Sequence, residues 1–200
     1  ISLLHSYLNA DHEKQIYKLL AERFPNLEIS ISSDVLPVFR EYERSMATIM
    51  NAMVQPLVGK YIRQLEDGLA EKQIKAPLFI MKSNGGVFSP QEAARSGAHM
   101  ALSGPAAGTN GAANLGHLCK IEDIITIDIG GTSADISLIR GGKAEIANGT
   151  KINDLPLSLA VTDIHTIGAG GGSIARISHN GAIMVGPKSA GADPGPVAYG

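Results

Sequence analysis

The stretch of sequence that most constrains the fold runs from Ile124 to Arg140 and reads IITIDIGGTSADISLIR. Its β-branched first half predicts a buried strand that ends at Asp128. Gly130 and Gly131 predict a turn whose backbone can approach a ligand closely, because neither residue carries a Cβ atom. After the turn, alternating apolar and polar residues predict a returning strand. The segment therefore predicts a strand, a glycine turn and a strand, with Asp128 and Asp135 at the mouth.

The turn and its two carboxylates indicate a phosphate site. A glycine turn presents backbone N–H groups that can bind an anion, and Thr132 and Ser133 add hydroxyl groups beside them. Mg²⁺ prefers oxygen ligands and keeps several waters, so Asp128 and Asp135 could complete a magnesium and phosphate site. Either aspartate could instead cap a turn, and the residues of this segment leave both interpretations open.

A second glycine cluster, Gly168–Ser173, reads GAGGGS. It comes within one residue of the dinucleotide-binding fingerprint, but Ser173 replaces the third glycine. The residues that follow alternate as in a strand, whereas that fingerprint must open a helix, so a nicotinamide site is not favoured. A glycine loop between strands is the alternative. Just before this cluster, Asp163 and His165 share a face of a predicted strand, as either a structural or a catalytic pair.

Several other kinds of site are excluded by what the sequence lacks. The P-loop pattern is absent, because Gly142 and Lys143 are followed by Ala144. There is no serine-nucleophile motif and no histidine or cysteine cluster with zinc-binding spacing. A net charge of −2 does not predict a nucleic-acid surface, and no apolar run is long enough for a membrane span. The single cysteine, Cys119, excludes an internal disulfide and predicts a cytoplasmic location.

Hydrophobic periodicity predicts a chain of mixed helices and strands. Helices are predicted over 10–24, 41–72, 90–95 and 103–118, and further strands over 27–32, 76–82, 143–147, 155–161, 173–178 and 181–185. Pro56 should kink or split the long second helix. The apolar stripe of that helix, which includes Met46, Met50 and Met53, is typical of a core helix, with an adaptable binding groove as the alternative.

Four motifs in register resemble the hydantoinase A/5-oxoprolinase family. They are LSGPAAGTNGA (102–112), IDIGGTSADISLI (127–139), DIHTIGAGGGSIA (163–175) and VGPKSAGADPGPVAYG (185–200). Upstream, LLHSYLNADHE, SSDVLPVFREYERS and MKSNGGV resemble the same family in the same order, so the similarity covers nearly the whole chain. One departure is Ala134, which stands where the family usually has threonine and removes a hydroxyl group near the expected phosphates.

The resemblance implies an α/β fold, namely an ATPase lobe of the actin, Hsp70 and sugar-kinase type with a mixed twisted sheet and flanking helices. Such folds hold the nucleotide between two lobes, each with a phosphate hairpin, and this chain shows one convincing copy. An incomplete two-lobe architecture is therefore expected. Residues 1–36 would end a first lobe, and residues 37–200 would form the second lobe, truncated at its C-terminus. The chain opens on Ile1 in an apolar run, which agrees with a piece of something longer.

By the same resemblance, the chain is expected to bind ATP and Mg²⁺. The implied cofactor-binding residues are Asp128, Gly130, Gly131, Thr132, Ser133, Asp135, Gly168, Gly170, Gly171, Gly172 and Ser173. The metal ligands would be Asp128 and Asp135, and the candidate catalytic residues are Asp128, Asp163 and His165. The cluster Gly168–Ser173 resembles the loop that packs on adenosine in this fold, and the helix over 103–118 resembles the helix that connects the lobes.

The activity implied by the resemblance is ATP-dependent opening of a cyclic amide, of the hydantoin or 5-oxoproline type, through phosphorylation of the carbonyl oxygen. A stable lactam resists water, and phosphorylation of its oxygen creates a good leaving group. Most relatives of this kind act with a partner subunit or domain of a second type. Two alternatives are a subunit of an ATP-dependent ketone carboxylase and a non-metabolic ATPase of the actin or chaperone type. The isolated 200-residue chain is expected to be inactive.

Overall fold

The computed structural model describes residues 1–152 and 154–196, so the end of the motif at 185–200 lies outside the described residues. The chain falls into two compact units. Unit 1 contains residues 1–104 and 146–161, and unit 2 contains residues 105–145 and those from 162 onward. The boundary expected between residues 36 and 37 separates two lobes of the ATPase fold and does not coincide with the division into these two units. It stays a prediction.

Helices predominate in the first part of the chain, and every element after residue 119 is a strand in the described part. The α-helices of the described part are Asp11–Arg23 (α1), Ser32–Val35 (α2), Glu41–Glu71 (α3), Pro90–Arg95 (α4) and Ser103–Cys119 (α5), with a 3₁₀ helix at Gly97–Met100. The strands are Ile80–Met81 (β1), Val87–Phe88 (β2), Ile124–Ile129 (β3), Ala134–Arg140 (β4), Lys143–Ala144 (β5), Ile146–Ala147 (β6), Thr150–Ile152 (β7), Leu155–Leu157 (β8), Val161–Thr162 (β9), Ile164–Ile167 (β10), Ser173–Ile177 (β11) and Ile183–Ser189 (β12).

The helices α1, α3, α4 and α5 confirm the four predicted helices to within one or two residues at each end. In helix α4, a short stretch of sequence specifies where the helix begins. The Ser89 hydroxyl accepts from the backbone N–H of Glu92, the Glu92 carboxylate accepts from the backbone N–H of Ser89, and Pro90 occupies the first turn. This reciprocal cap satisfies two N–H groups that have no partner within the helix.

The strand predicted over 27–32 is wrong, because the described structure has no strand there and Ser32 begins α2. The cause is a carboxylate from another helix. Glu13 accepts from the Ser32 hydroxyl at 2.6 Å and from the Ser33 backbone N–H at 2.8 Å. An acceptor at the start of a helix satisfies its first N–H groups, so the chain turns here instead of extending.

Helix α3 runs unbroken through Pro56, so the predicted split into two helices is wrong, and the predicted kink stays a prediction. Proline removes one backbone donor, and the carbonyl that loses its partner belongs to Ala52. Both Pro56 and Ala52 are exposed, so water can replace the missing bond. The prediction that the apolar stripe of α3 lies in the core is also wrong on one side of the helix, where Met53 and Leu57 are 72% and 71% exposed.

The face of α3 that is buried is mostly polar. It consists of Arg44, Ala47, Thr48, Asn51, Gln55, Gly59 and Ile62. The Asn51 amide donates to the Ser30 hydroxyl and to the Arg95 carbonyl, and its oxygen accepts from the Ala98 backbone N–H. Hydrogen bonds to Ser30, to the end of α4 and to the 3₁₀ helix, more than the hydrophobic stripe, therefore decide which way this helix faces.

Two small apolar clusters form the core of unit 1. One contains Val35, Leu36, Ala47, Ala98, Leu157 and Leu159, and the other contains Ile62, Ile80, Phe88 and Ala93. Between the loops at the start of the chain lies a buried charged network. The Arg44 guanidinium donates to the carbonyls of Leu3 and Val38 and to the Ser32 hydroxyl, which in turn donates to the Glu13 carboxylate.

Unit 2 is built on an antiparallel sheet with the strand order β10–β4–β3, and β5 also pairs with β4. In β4, Asp135, Ser137 and Ile139 lie on one face, and the residues between them lie on the other, as predicted. Helix α5 packs on the first face, where the hydroxyl groups of Thr109 and Ser137 are 2.7 Å apart. The segment from β11 to β12 forms a separate antiparallel hairpin.

Candidate functional site

The two candidate metal ligands lie side by side on one face of the unit 2 sheet. Asp128 of β3 is directly opposite Asp135 of β4, and Thr166 of β10 is directly opposite Asp135 on its other side. Residues paired directly across strands project from the same face, so these three form one row, the carboxylate row. The Thr166 hydroxyl donates to Asp135 Oδ1 at 2.5 Å. Within the described residues, Asp128 makes no hydrogen bond through its carboxylate and no salt bridge.

A row of hydroxyl groups lies next to the carboxylate row on the same face. Thr126 is directly opposite Ser137, one pleat further along the two strands. The Ser137 hydroxyl is hydrogen-bonded to the Thr126 hydroxyl and to the Thr109 hydroxyl of α5. Thr109 and Ser137 are 3% and 4% exposed, so this chain of hydroxyl groups is buried and ties the helix to the sheet.

A cavity of about 270 Å³ lies between α5 and this face of the sheet. The carboxylates of Asp128 and Asp135 lie at its lining, together with the hydroxyl row. On the helix side the lining residues are small, with Gly108 and Ala112 among them. Such a volume holds several water molecules or a hydrated ion.

The glycine turn leaves backbone donors available beside the carboxylate row. The Gly130 N–H donates to the Ser133 carbonyl at 2.9 Å and closes the turn. Over the described ranges, the N–H groups of Gly131, Thr132 and Ser133 donate no hydrogen bond within the protein. Successive N–H groups without internal partners form an anion-binding concavity. The predicted phosphate turn is therefore chemically suited to phosphate in this structure.

The second glycine cluster docks directly on that turn. The N–H groups of Gly171 and Gly172 donate to the carbonyls of Gly130 and Gly131 at 2.9 and 2.7 Å. At Gly170, a Cβ atom would lie 2.5 Å from the Gly130 carbonyl oxygen, which no side chain could tolerate without backbone movement. Close backbone approach is therefore the reason for glycine at this position.

Within this cluster, the four N–H groups from Gly170 to Ser173 are already used inside the protein. Gly170 donates to the Ser173 hydroxyl at 2.8 Å, and the next two glycines donate to the turn. Gly168 lies against Gly186, where a Cβ atom would be 1.9 Å from the Gly168 carbonyl oxygen. The predicted role of Gly168–Ser173 in cofactor binding is untested, but its geometry is that of a loop that shapes the phosphate turn.

Asp163 and His165 are not brought together with Asp128. His165 is directly opposite Ile136, so its side chain projects from the face of the sheet that does not carry the carboxylate row. Asp163 precedes β10, is exposed, and its backbone N–H donates to the Glu145 carbonyl at 2.8 Å. Their predicted catalytic role stays a prediction, and within unit 2 it has no geometric support from the carboxylate row.

Sequence reasoning missed Thr166, Thr109 and Ser137. All three are hydroxyl residues on the face that carries the carboxylates, and two of them are buried. Alternation along β4 places Ser137 on the same face as Asp135, and that signal was present in the sequence. The pairing of Thr166 with Asp135 depends on the register between β4 and β10, which no local pattern specifies.

The site suits magnesium better than a metal that needs several protein ligands. No group of three or more His, Cys, Asp or Glu side chains with metal-binding geometry occurs among the residues that the structure describes. Two neighbouring carboxylates and a cavity that holds several waters match the preference of Mg²⁺ for a few oxygen ligands and several waters. The donor set therefore fits Mg²⁺ held through Asp128 and Asp135.

Comparison with known proteins identifies the class to which this fold and site belong. The hydantoinase/oxoprolinase family profile matches residues 44–200, and the chain belongs to that family. Over the whole chain it is 35% identical to caprolactamase subunit alpha from Pseudomonas jessenii and 34% identical to 5-oxoprolinase from Saccharomyces cerevisiae. It covers 29% and 15% of those relatives, so it spans less than a third of their length.

Solved structures share the fold. The crystal structure of ATP-dependent caprolactamase from Pseudomonas jessenii matches the whole chain with a TM-score of 0.79 and 32% identity, and the chain covers 29% of it. Nucleotide-free acetone carboxylase matches 96% of the chain with a TM-score of 0.73 and 33% identity, over 27% of its own length. The expected α/β lobe of the actin-like ATPase type is thereby confirmed. No helix of the described part has both the length and the apolar character that a membrane span requires.

Proposed function

We propose that the protein containing this chain is an ATP-dependent hydrolase that opens a cyclic amide of the hydantoin or 5-oxoproline type. The observation that carries the proposal is the carboxylate row beside three turn N–H groups without internal partners. Relatives named for 5-oxoproline and caprolactam hydrolysis support the choice of a cyclic amide. The ring itself is not specified by any residue of this chain.

The turn would bind phosphate oxygens through the N–H groups of Gly131, Thr132 and Ser133. Asp128 and Asp135 would hold Mg²⁺ through their carboxylates. The metal ion, when bound, supplies charge neutralisation at the phosphate oxygens. The cluster Gly168–Ser173 would act on the nucleotide indirectly, by fixing the turn on which it docks.

The reaction would begin with transfer of the γ-phosphoryl group of ATP to the carbonyl oxygen of the ring, which breaks the β,γ phosphate bond and releases ADP. Addition of one water to the activated carbon and departure of the ring nitrogen, protonated as it leaves, would open the ring and leave an acyl phosphate. A second water would hydrolyse that acyl phosphate to inorganic phosphate and an open-chain amino acid. The protein's contribution is to position the phosphate chain and to stabilise its charge.

Asp128 is the strongest candidate for direct participation, because its carboxylate faces the cavity and has no internal partner in the described structure. It could orient a water in the cavity as well as hold the metal ion. Asp163 and His165 remain candidates for proton transfer to the ring nitrogen, on a surface away from the carboxylate row. A partner subunit or domain of a second type and a cytoplasmic location complete the proposal. Subunit designations among the relatives support the partner.

The decisive experiment compares Asp128→Ala with a matched surface variant, Asp67→Asn, in the full-length protein. Asp67 is an exposed residue of α3 in unit 1, far along the chain from the turn. We expect Asp128→Ala to abolish ATP hydrolysis that depends on a lactam and Asp67→Asn to leave it unchanged. Unchanged turnover in the Asp128 variant would overturn the site assignment.

A ketone carboxylase subunit is a second candidate, favoured by the structural match to acetone carboxylase and by 33% identity to an acetone carboxylase beta subunit. The two candidates differ in what stimulates ATP hydrolysis. A lactam alone should stimulate the proposed hydrolase, whereas a carboxylase should require a ketone together with bicarbonate. A conformational ATPase of the actin or chaperone type would respond to neither and would turn over slowly.

A further inference from the structure

The two carboxylates of the carboxylate row have different surroundings. Asp135 lies on β4, in the middle of the strand order, with Asp128 on one side and Thr166 on the other. Asp128 lies on β3, at the end of that order, and its carboxylate has no partner in the described part of the chain. One carboxylate is therefore held by a neighbouring strand, and the other is free to turn.

Two like charges directly opposite each other on a sheet repel. A cation between them removes the repulsion only if both carboxylates point toward it at the same time. For a side chain such as aspartate, an unrestrained carboxylate also loses rotational freedom when it binds a cation. A residue that already fixes one of the two carboxylates would reduce that loss and keep the pair in a binding arrangement.

We propose that Thr166 is a positioning residue for the metal ion, which it orients through Asp135. Its hydroxyl donates to Asp135 Oδ1 at 2.5 Å, a short bond of the kind that a charged acceptor makes. Because Oδ1 already accepts this hydrogen bond, Oδ2 keeps both of its lone pairs for the metal ion. Thr166 itself need not touch the metal ion, since it acts on a ligand of the metal.

The bond also explains the choice of residue at this position. Thr166 lies on an exposed stretch of β10, so its hydroxyl is not needed to satisfy a buried group. A β-branched residue has few χ1 rotamers and keeps its hydroxyl directed at Asp135. Residues that hold a metal ligand through a hydrogen bond typically change metal affinity by 10- to 100-fold when removed. This inference rests on the proposed function, because it requires that Asp128 and Asp135 bind a divalent cation.

The test measures Mn²⁺ binding by the full-length protein directly, by electron paramagnetic resonance, with a non-hydrolysable ATP analogue present. Mn²⁺ is the probe because carboxylate and water ligands suit it as they suit Mg²⁺. We expect Thr166→Val and Thr166→Ala to weaken Mn²⁺ binding about tenfold, and Thr166→Ser to stay within about twofold of wild type. The control is Thr150→Val, at a half-buried threonine of β7 in unit 1.

The outcomes distinguish a failure of the proposed role of Thr166 from a failure of the proposed function. Wild-type binding together with unchanged binding in both variants that lack the hydroxyl would overturn the role of Thr166 and leave the carboxylate site intact. The same holds if Thr166→Ser binds as weakly as Thr166→Val, because the methyl packing would then matter more than the hydroxyl. If the wild-type protein binds no Mn²⁺, the metal site of the proposed function fails, and this inference fails with it. Circular dichroism of each variant identifies any that does not fold, and the comparison of Thr166→Ser with whichever of Thr166→Val and Thr166→Ala does fold then carries the test.

Discussion

Unit 1 and unit 2 each contain carboxylates close to hydroxyl groups, but they use them differently. The Glu13 carboxylate in unit 1 is fully buried and accepts three hydrogen bonds, from the N–H groups of Leu3 and Ser33 and from the Ser32 hydroxyl. In unit 2, Asp135 accepts one bond from Thr166, and Asp128 accepts none within the described residues. A carboxylate whose oxygens are fully used holds a fold together, whereas one with lone pairs to spare can bind something else.

The pKa of Glu13 reports the same difference. Burial raises it, but hydrogen bonds from Ser32, Ser33 and Leu3 outweigh burial and lower the pKa to about 2. The charged form is therefore the one that the fold requires. This carboxylate is structural even though its sequence context, an acidic residue in the first turn of a helix, looks ordinary.

The largest effect should come from removing the cation of the unit 1 network. Arg44→Met removes a fully buried guanidinium that donates to the carbonyls of Leu3 and Val38 and to the Ser32 hydroxyl, and it leaves the buried Glu13 charge without a cation in its network. The free energy of unfolding should therefore fall by about 3–5 kcal/mol. Urea unfolding followed by circular dichroism measures this. The matched variant Arg40→Met removes an exposed ion pair with Glu43 and should leave the midpoint unchanged. Equal effects of the two variants would show that burial of the network is not what stabilises unit 1.

Acid should weaken the same network. The folded pKa of Glu13 is about 2 and its ordinary value is 4.5, so its contribution to stability is present above pH 4.5 and is lost as the pH falls toward 2. A shift of this size corresponds to something on the order of 3 kcal/mol. Unfolding free energies measured between pH 6 and pH 2 should fall less steeply in Glu13→Gln than in wild type. Parallel curves would contradict the assignment.

In unit 2, the region most sensitive to substitution is the one where the backbone of the second glycine cluster packs on the glycine turn. Gly170→Ala should destabilise the docked glycine cluster by about 1–3 kcal/mol, because its Cβ atom would overlap the Gly130 carbonyl and the N atoms of Thr132 and Ser133. Gly171→Ala is the matched control, since its Cβ atom would lie 3.8 Å from the nearest atom. Thermal unfolding and binding of a fluorescent ATP analogue should both be impaired in the first variant and nearly normal in the second. Similar nucleotide affinities would argue against a role of the cluster in shaping the turn.

The smallest effects on stability are expected for alanine substitutions at two glycines of α5, and they should have opposite signs. Gly116→Ala would place a Cβ atom 2.7 Å from the Ile121 carbonyl oxygen, and about 1–2 kcal/mol of stability should be lost. Gly111→Ala meets no atom within 4 Å and should stabilise the helix by a few tenths to 1 kcal/mol, as alanine does in a helix interior. Melting temperatures of the two variants should therefore move in opposite directions.

Much of this structure could be predicted from the sequence, because its helices and its central hairpin are specified locally. Periodicity defines α1 and α3, the reciprocal cap of Ser89 and Glu92 defines the start of α4, and the glycine turn with its alternating strand defines the hairpin from β3 to β4. The family followed from four motifs that lie in register, and the comparisons confirm it. The two carboxylates were expected at the mouth of the hairpin, and the register of β3 against β4 places them on one face.

What could not be predicted depends on contacts between segments that are distant in sequence. The chain turns at Ser32 because Glu13 binds the start of α2. The face of α3 that points outward is set by the hydrogen bonds of Asn51 to Arg95 and Ala98. Similarly, only the register of β10 against β4 shows that Thr166 meets Asp135 and that His165 lies on the other face. Alternation along one strand gives the face of a side chain but never its partner on the next strand.

The docking of the second glycine cluster on the first has a consequence for how the site forms during folding. Gly171 and Gly172 donate to carbonyls about forty residues earlier in the chain. Contacts between residues so far apart in sequence form slowly, because closing the intervening loop costs conformational entropy before any hydrogen bond can form. The hairpin from β3 to β4 can assemble early from neighbouring residues, but the turn acquires its final shape only when the later segment arrives. Nucleotide-binding competence should therefore appear as a late event in refolding, after most of the helical signal has recovered.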